Sequence, residues 1–258
     1  MTAWIDFARG PLFRLCFALM ALGLLRIVIN TLLGVKEAYQ RNPDKIVSWK
    51  EIRHQTLGWL FPVGRLWRQR PIYSALSFLF HVGMIVTPLF LASHVLLWRN
   101  AVGFGWPVLP QQLANWLALL VIVTGTAIFL GRALHSGARN LSKFQDYLWP
   151  LLIMTPFATG YIASNAVISP RTYQEMMLVH IYTGDLILLM IPFTKLAHCV
   201  LAPLSQLVTA IAWKFPAGAG DRVAESLGFA DRPTWVSQSR LTTKPKGAEP
   251  VTKGATTK

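Results

Sequence analysis

Acidic side chains are scarce in this chain. Asp and Glu number 11 against 25 Lys and Arg, so 258 residues carry a formal net charge of +14. Charge of either sign is itself scarce, at 14% of residues, while 53% are hydrophobic and the mean hydropathy is +0.42. Soluble domains carry roughly 25% charged residues, so this composition belongs to a membrane protein. Cysteine is nearly absent: Cys16 and Cys199 each lie in an apolar run, with no CxxC spacing. That excludes a disulfide framework, a zinc cage or an iron–sulfur motif built from this chain's own thiols. There is no internal repeat, no GxGxxG after a strand and no phosphate-binding loop, which excludes a nucleotide-dependent catalytic domain. The basic excess does not predict a nucleic-acid partner, because Lys and Arg are gathered between apolar runs, as in a membrane topology.

Long apolar runs are what the sequence has in abundance. Five of them, at about residues 11–33, 72–98, 113–134, 146–164 and 176–204, approach the roughly 20 residues that a spanning helix needs. They predict an all-α membrane protein with five transmembrane helices. The loop after the first run carries Lys36, Arg41, Lys45, Lys50, Arg53, Arg65, Arg68 and Arg70. The loop after the third carries Arg139 and Lys143, with Arg132 at the helix end, and Lys214 and Arg222 follow the fifth. The other two loops hold only Arg99 and Arg171. Basic loops stay in the cytoplasm, so the N-terminus is expected outside and the C-terminus inside; Arg9 and Arg14 run against this. The first run is long and lacks a small-residue cleavage site, so no cleavable leader is expected. Residues 1–213 then form the transmembrane domain, and 214–258 a basic cytoplasmic tail, disordered from 237 onward. Residues 44–61, DKIVSWKEIRHQTLGWLF, read either as a helix lying in the inner interface or as a plain basic loop.

Six histidines remain to be explained, and four of them lie in two runs. The second run holds His81 and His94; the fifth holds His180 and His198. Antiparallel spans place His81 and His198 in the cytoplasmic half and His94 and His180 in the outer half. The 18 residues from His180 to His198 make five helical turns, so both rings would share one face about 27 Å apart. The 13 residues from His81 to His94 do not close a whole number of turns, and Thr87-Pro88 between them is a candidate kink. A single histidine on an apolar helix is commonly a hydrogen-bonded structural residue. Two pairs at matched depths instead suit the axial ligands of two b-type haems, since neutral imidazole binds iron and bundles build cofactor sites between facing helices. Gly83 and Gly184 beside the ligands, with Gly125 and Gly160 on neighbouring runs, would leave room for a macrocycle. His54 and His135 read as surface residues.

The fifth run has a recognisable texture. LVHIYTGDLILLMIPFTKLAHCVLAPLSQL, with His180, Gly184, Ile191-Pro192-Phe193, Lys195 and His198, closely resembles the fifth helix of the gamma (cytochrome b) subunit of respiratory nitrate reductase. FLFHVGMIVTP, with Phe80-His81 and Gly83, is similar to the start of that family's second helix. Arg26 and the basic turn after the third run also look alike, and the resemblance covers about residues 8–213. It implies two haems, the inner held by His81 and His198 and the outer by His94 and His180. It implies menaquinol or ubiquinol as substrate on the outer side, electrons passing inward to a cytoplasmic iron–sulfur subunit, and through it to a catalytic subunit. It also implies a bacterial or archaeal cytoplasmic membrane. The wider helix-two ligand spacing, the lack of a Lys before the third run and the long basic first loop look as close to relatives in heterodisulfide-reductase-like or sulfite-reduction-linked complexes. This chain would be a quinol-oxidising or quinone-reducing subunit with no terminal catalytic site of its own.

Around those ligands, Asp185 reads either as a proton acceptor for the quinol or as a buried carboxyl bonded to a neighbouring helix. Gln111, Gln112 and Arg171 are the other polar groups at that depth. Lys195 and Arg132 read either as partners of the inner haem's propionates or as cations reaching the interface. A small transporter and a haem-free membrane anchor are the rival classes.

Overall fold

The computed structural model describes residues 1–41, 47–60, 68–212 and 219–228. The expected disorder from 237 onward, and residues 44–46 and 61 of the interfacial stretch, lie outside these. Among the described residues every regular element is a helix. They are α1 (Thr2–Phe7), a π-helical turn (Ala8–Leu12), α2 (Phe13–Arg41), α3 (Trp49–Leu60), α4 (Pro71–Phe90) and α5 (Ala92–Val102). There follow α6 (Gln111–Leu134), α7 (Ser136–Leu141), α8 (Phe144–Asn165), α9 (Pro170–Met190), two 3₁₀ turns (Ile191–Phe193 and Lys195–Ala197), α10 (His198–Ala212) and α11 (Ala219–Ser226).

Among the described residues, four stretches are long and apolar enough to cross a membrane: Thr2–Arg41, Pro71–Phe90, Gln111–Leu134 and Pro170–Phe193. The fourth expected run corresponds to α8, 22 residues long. It is less apolar, with Pro150, Pro156, Thr155, Thr159 and Asn165, and it packs between α6 and α9. Large apolar side chains such as Leu22, Leu25, Val123 and Leu130 stand exposed around the helices. Such a surface fits a multi-pass protein in contact with lipid.

Three differences from the predicted runs have physical causes. The first helix starts at Thr2 and runs 40 residues to Arg41, about 60 Å and twice the bilayer's hydrocarbon thickness. Apolarity marks where lipid contacts a helix, not where the helix ends. Pro11 lacks an N–H, and the π turn around it absorbs the missing bond without breaking the rod.

The second run is two helices. Leu91 is extended, at φ −68° and ψ 132°, three residues after Pro88. The fifth run is also interrupted, so His180 and His198 do not lie on one five-turn helix. Pro192 cannot donate to the ladder, and Thr194 is extended at φ −131° and ψ −175°. The Thr194 hydroxyl donates to the Met190 carbonyl and accepts from Leu196 N–H, replacing ladder bonds with its own. Gly23 of α2 lies against the bend, where a Cβ would come 2.6 Å from Pro192 Cβ.

Packing runs from α4 to α6, from α6 to α8 and from α8 to α9; α2 then lies against α9 and α10, and α3 against α10. Helices α4, α6, α8 and α9 thus surround a common interior. Phe80, Val121 and Ile153 are buried at its centre, with Ile187 and Leu196 against them. Two glycines allow the close approach. A Cβ on Gly83 would meet Val121 Cγ2 at 2.6 Å and the Leu117 carbonyl at 3.0 Å. One on Gly125 would meet Met154 Sδ at 2.6 Å and Phe80 at 2.9 Å. Helix α4 does not pack on α9 as a neighbour; the histidines meet across that opening.

Candidate functional site

His81, His94, His180 and His198 form two pairs. The ring centres of His81 and His198 are 6.0 Å apart with planes at 84°. Those of His94 and His180 are 5.9 Å apart with planes at 20°. Each pair joins unlike positions. His81 and His180 sit in the middle of the unbroken α4 and α9, while His198 is the first residue of α10 and His94 lies in the first turn of α5. Each pair therefore takes one ring from an intact helix and one from just beyond a break.

Three of the rings have a fixed tautomer. His81 Nδ1–H donates to the Ser77 carbonyl at 2.7 Å, His180 Nδ1–H to the Pro156 carbonyl at 2.7 Å and His198 Nδ1–H to the Lys195 carbonyl at 2.9 Å. A carbonyl only accepts, so the proton is on Nδ1 and the lone pair is left on Nε2. This is the arrangement that prepares a neutral imidazole to bind a metal. His94 differs: its Nδ1 is buried and meets no acceptor at good hydrogen-bond geometry, with the Pro88 backbone the nearest group that could take a proton from the ring. Both pairs bring their ring centres to about 6 Å, near enough for one group bound between them to touch both rings. Among the described residues no group of three or more His, Cys, Asp or Glu gathers as a cage. Two nitrogens alone do not complete a coordination sphere, so the donor set fits a metal that brings equatorial ligands of its own, as in a tetrapyrrole.

Small residues border the rings unevenly. Gly160 of α8 faces His180, where a Cβ would stand 2.9 Å from Cε1 and 3.0 Å from Nδ1. Gly184 has nothing within 4 Å of a Cβ. Gly83 lies in the α4–α6 contact rather than beside a ring. A cavity of about 100 Å³ adjoins His81, lined by Tyr73, Ser77, Phe80, Gly125, Ile128 and Pro150. An open cleft of about 650 Å³ runs along α5, bordered by Ala92, Val95, Arg99, Phe104 and Trp106.

The charged candidates are placed as follows. Lys195 Nζ donates to Asp146 Oδ1 at 2.6 Å, which ties the second break to the start of α8. Arg132 Nη1 donates to Ser142 Oγ at 3.2 Å, and its Nε is buried without a partner. Asp185 is 4% exposed, and its Oδ2 is buried with no hydrogen-bond partner. It lies five residues from His180, about 140° around the helix, so it points away from the ring pair. It stands in electrostatic contact with Cys16 of α2.

Gln111 donates to Asn115 at 3.0 Å, and Arg171 Nε to Glu175 at 3.1 Å. His54 and His135 are exposed, and His135 Nδ1 accepts Ala138 N–H at the start of α7. Sequence reasoning passed over the Asn115–Asn165 hydrogen bond of 2.6 Å between α6 and α8. It also passed over Trp106, whose indole N–H donates to the Leu89 carbonyl at 2.7 Å. An indole in a loop gives no sign in the sequence of which carbonyl it will reach.

No family model and no solved structure matches the chain. A protein of Nitratidesulfovibrio vulgaris (strain Hildenborough) is 34% identical over 204 residues, covering 78% of this chain and 89% of that relative. Its name, simply Protein, states no activity. Identity at that level over most of both chains means that this chain belongs to the same family as the Nitratidesulfovibrio vulgaris protein.

Proposed function

We propose that the chain is the di-haem b subunit of a respiratory membrane complex, related to the nitrate reductase gamma subunit. In this reading five helices span the bilayer, with α8 as the fourth, the N-terminus outside and the C-terminus in the cytoplasm. The single observation that carries it is the pair of imidazole pairs, each about 6 Å between centres, with three of four Nε2 lone pairs left free by Nδ1–H bonds to carbonyls. A haem bound between two imidazoles supplies one-electron transfer. His81 and His198 would hold the inner group, and His94 and His180 the outer. Two levels of ligand, 13 residues apart on one side and 18 on the other, would carry electrons across the membrane.

The substrate would be a quinol at the outer side, losing two electrons inward and two protons outward. The acceptor would be an iron–sulfur subunit in the cytoplasm, passing electrons to a catalytic subunit. The open cleft of about 650 Å³ along α5, aromatic and bearing Arg99, supports a planar ligand at that end; it lies within the roughly 300–1,000 Å³ range of ligand pockets. Asp185 faces α2, and the proposal assigns it no step. Arg132, with a buried unpartnered Nε, is a better candidate for a propionate than Lys195, which holds Asp146. A partner of heterodisulfide-reductase or sulfite-reduction type would use the same two sites.

One observation favours a second class: two broken helices are a hallmark of small transporters. Colour separates the two. Purified membranes should give a reduced-minus-oxidised spectrum of b-type haem. His81→Ala and His198→Ala should remove one haem, and His94→Ala and His180→Ala the other. A colourless protein, or haem loss in any other combination, would overturn the reading.

A further inference from the structure

The break before His94 leaves a precise hydrogen-bond debt. In a continuous helix the Leu89 carbonyl would accept from Ser93 N–H, and the Phe90 carbonyl from His94 N–H. With Leu91 extended, His94 N–H turns to the Leu91 carbonyl at 3.0 Å, which also keeps its usual bond from Val95 N–H at 2.9 Å. Three carbonyls, those of Pro88, Leu89 and Phe90, lose their ladder donors, and within a bilayer no water would satisfy them. The Pro88 carbonyl lies against the His94 ring, and the loop beyond α5 satisfies the other two. Gly103, at φ 85°, reverses the chain in a left-handed turn that a side chain would strain. The loop then runs back along α5 until Trp106 Nε1–H donates to the Leu89 carbonyl at 2.7 Å and Leu109 N–H to the Phe90 carbonyl at 2.9 Å.

The indole is itself held. Its ring centre lies 6.0 Å from that of Trp98 on α5 and 6.0 Å from that of Phe104. Trp98 packs edge-on against Phe17 of α2 at 4.5 Å and against Phe13 at 5.7 Å. The break matters because 13 residues of unbroken helix would leave His94 about 140° away from the face of His81. With the break, His94 reaches His180, at 5.9 Å between ring centres. We infer that Trp106 is a positioning residue for His94: its indole N–H closes the broken helix that aims the outer imidazole pair. This rests on the pairs being ligand sites only for its haem readout; the geometry can be tested without haem.

The test uses full-length protein carrying Trp106→Phe, which keeps the ring and removes the N–H. Trp106→His, which keeps a ring N–H, serves as the rescue variant. In one arm, a redox titration follows the haem that His94→Ala abolishes. Trp106→Phe should shift that haem's potential or reduce its occupancy several-fold, leave the other haem unchanged, and be reversed at least in part by Trp106→His. In the second arm, His94 and His180 are both changed to Cys, in protein with Cys16 and Cys199 changed to Ser, and bridged with a short thiol reagent. Bridging should fall several-fold in Trp106→Phe, while a His81→Cys, His198→Cys pair bridges as before. Unchanged bridging of the outer pair would overturn the inference, and so would equal loss at both pairs, which would mark a general loss of fold. A colourless protein whose outer pair still loses bridging selectively would sink the haem reading and leave the role of Trp106 standing.

Discussion

Gly160→Ala is the sharpest perturbation of the outer pair, because it adds one methyl group against one imidazole. The added Cβ would sit 2.9 Å from His180 Cε1 and 3.0 Å from Nδ1. Carbon contacts are comfortable at about 3.5–4.0 Å, so the ring must retreat by about 0.5–1 Å. That ring is held by the 2.7 Å bond from Nδ1–H to the Pro156 carbonyl, one turn before Gly160 on the same helix. Retreat from α8 stretches this bond toward the edge of the useful range, about 3.2 Å. Overpacking costs about 1–3 kcal/mol, and a lost hydrogen bond adds about 0.5–1.5 kcal/mol. Alanine's better helix propensity returns about 1 kcal/mol. The net is a loss of about 0.5–3.5 kcal/mol, or several degrees of melting temperature at about 2–4 °C per kcal/mol for a chain of this size.

The matched control is Gly184→Ala. It lies four residues after His180 on α9, and a Cβ there meets nothing within 4 Å. It should be neutral or slightly stabilising, by up to about 1 kcal/mol. Thermal unfolding of the purified protein in detergent measures the stabilities. In the proposed di-haem reading, a reduced-minus-oxidised spectrum reads the pair directly: Gly160→Ala should weaken or shift the haem that His180→Ala abolishes and spare the other. An undisturbed spectrum and melting temperature in Gly160→Ala, or an equal loss in Gly184→Ala, would refute the close contact between α8 and the His180 ring.

Three further outcomes follow from the same geometry. Gly83→Ala should force α4 away from Val121 and the Leu117 carbonyl, costing about 1–3 kcal/mol; both haem bands should fall only in step with the folded fraction, and selective loss of one would restore Gly83 to a cofactor role. Asp185→Asn keeps the shape and removes a carboxylate whose Oδ2 is buried without a partner; since burying unpaired charge is costly, the melting temperature should hold or rise, and a fall of several degrees would reveal a partner for the carboxyl. Lys195→Met should cost less than about 1 kcal/mol, because the pair with Asp146 is partly exposed, at 53% and 16% of the two side chains; a larger loss in thermal unfolding would mean that this ion pair fixes the second break.

Depth was legible in the sequence and direction was not. The apolar runs fix how far each histidine lies into the bundle, and antiparallel runs alone set His81 with His198 and His94 with His180. The third and fourth runs each fall in one helix, while the second is split at Leu91 and the fifth at Thr194; helix is the conformation that bonds an apolar backbone within itself. The breaks were harder to read. Pro88 announced a disturbance, but the extended residue is Leu91, which has no breaking tendency of its own. Its conformation is sustained from a distance, by Trp106 and by the amide of Leu109. Pro192 sits inside a stretch whose five-turn spacing argued for continuity. There Thr194 decides the outcome by bonding its own hydroxyl to the backbone, a choice that side-chain periodicity does not record. The sequence marks Gly160 as one of four glycines near the rings, but not which ring it meets; the packing of α8 on α9 sets it against His180.

The two breaks do different work. Without the first, His94 would point away from α9, so that break is what makes an outer pair at all. Without the second, His198 would already share a face with His180, five turns on. What the second break changes is the backbone beneath the ring. It bends the chain where α2 comes closest, at Gly23, and it leaves the Lys195 carbonyl where His198 Nδ1–H can reach it. His81 finds its acceptor one turn back in its own helix, at Ser77, and His180 finds one on α8. At the first residue of α10, the helix supplies no such turn; the 3₁₀ segment takes its place. One break therefore aims a ring, and the other holds a proton on Nδ1 and leaves the lone pair on Nε2.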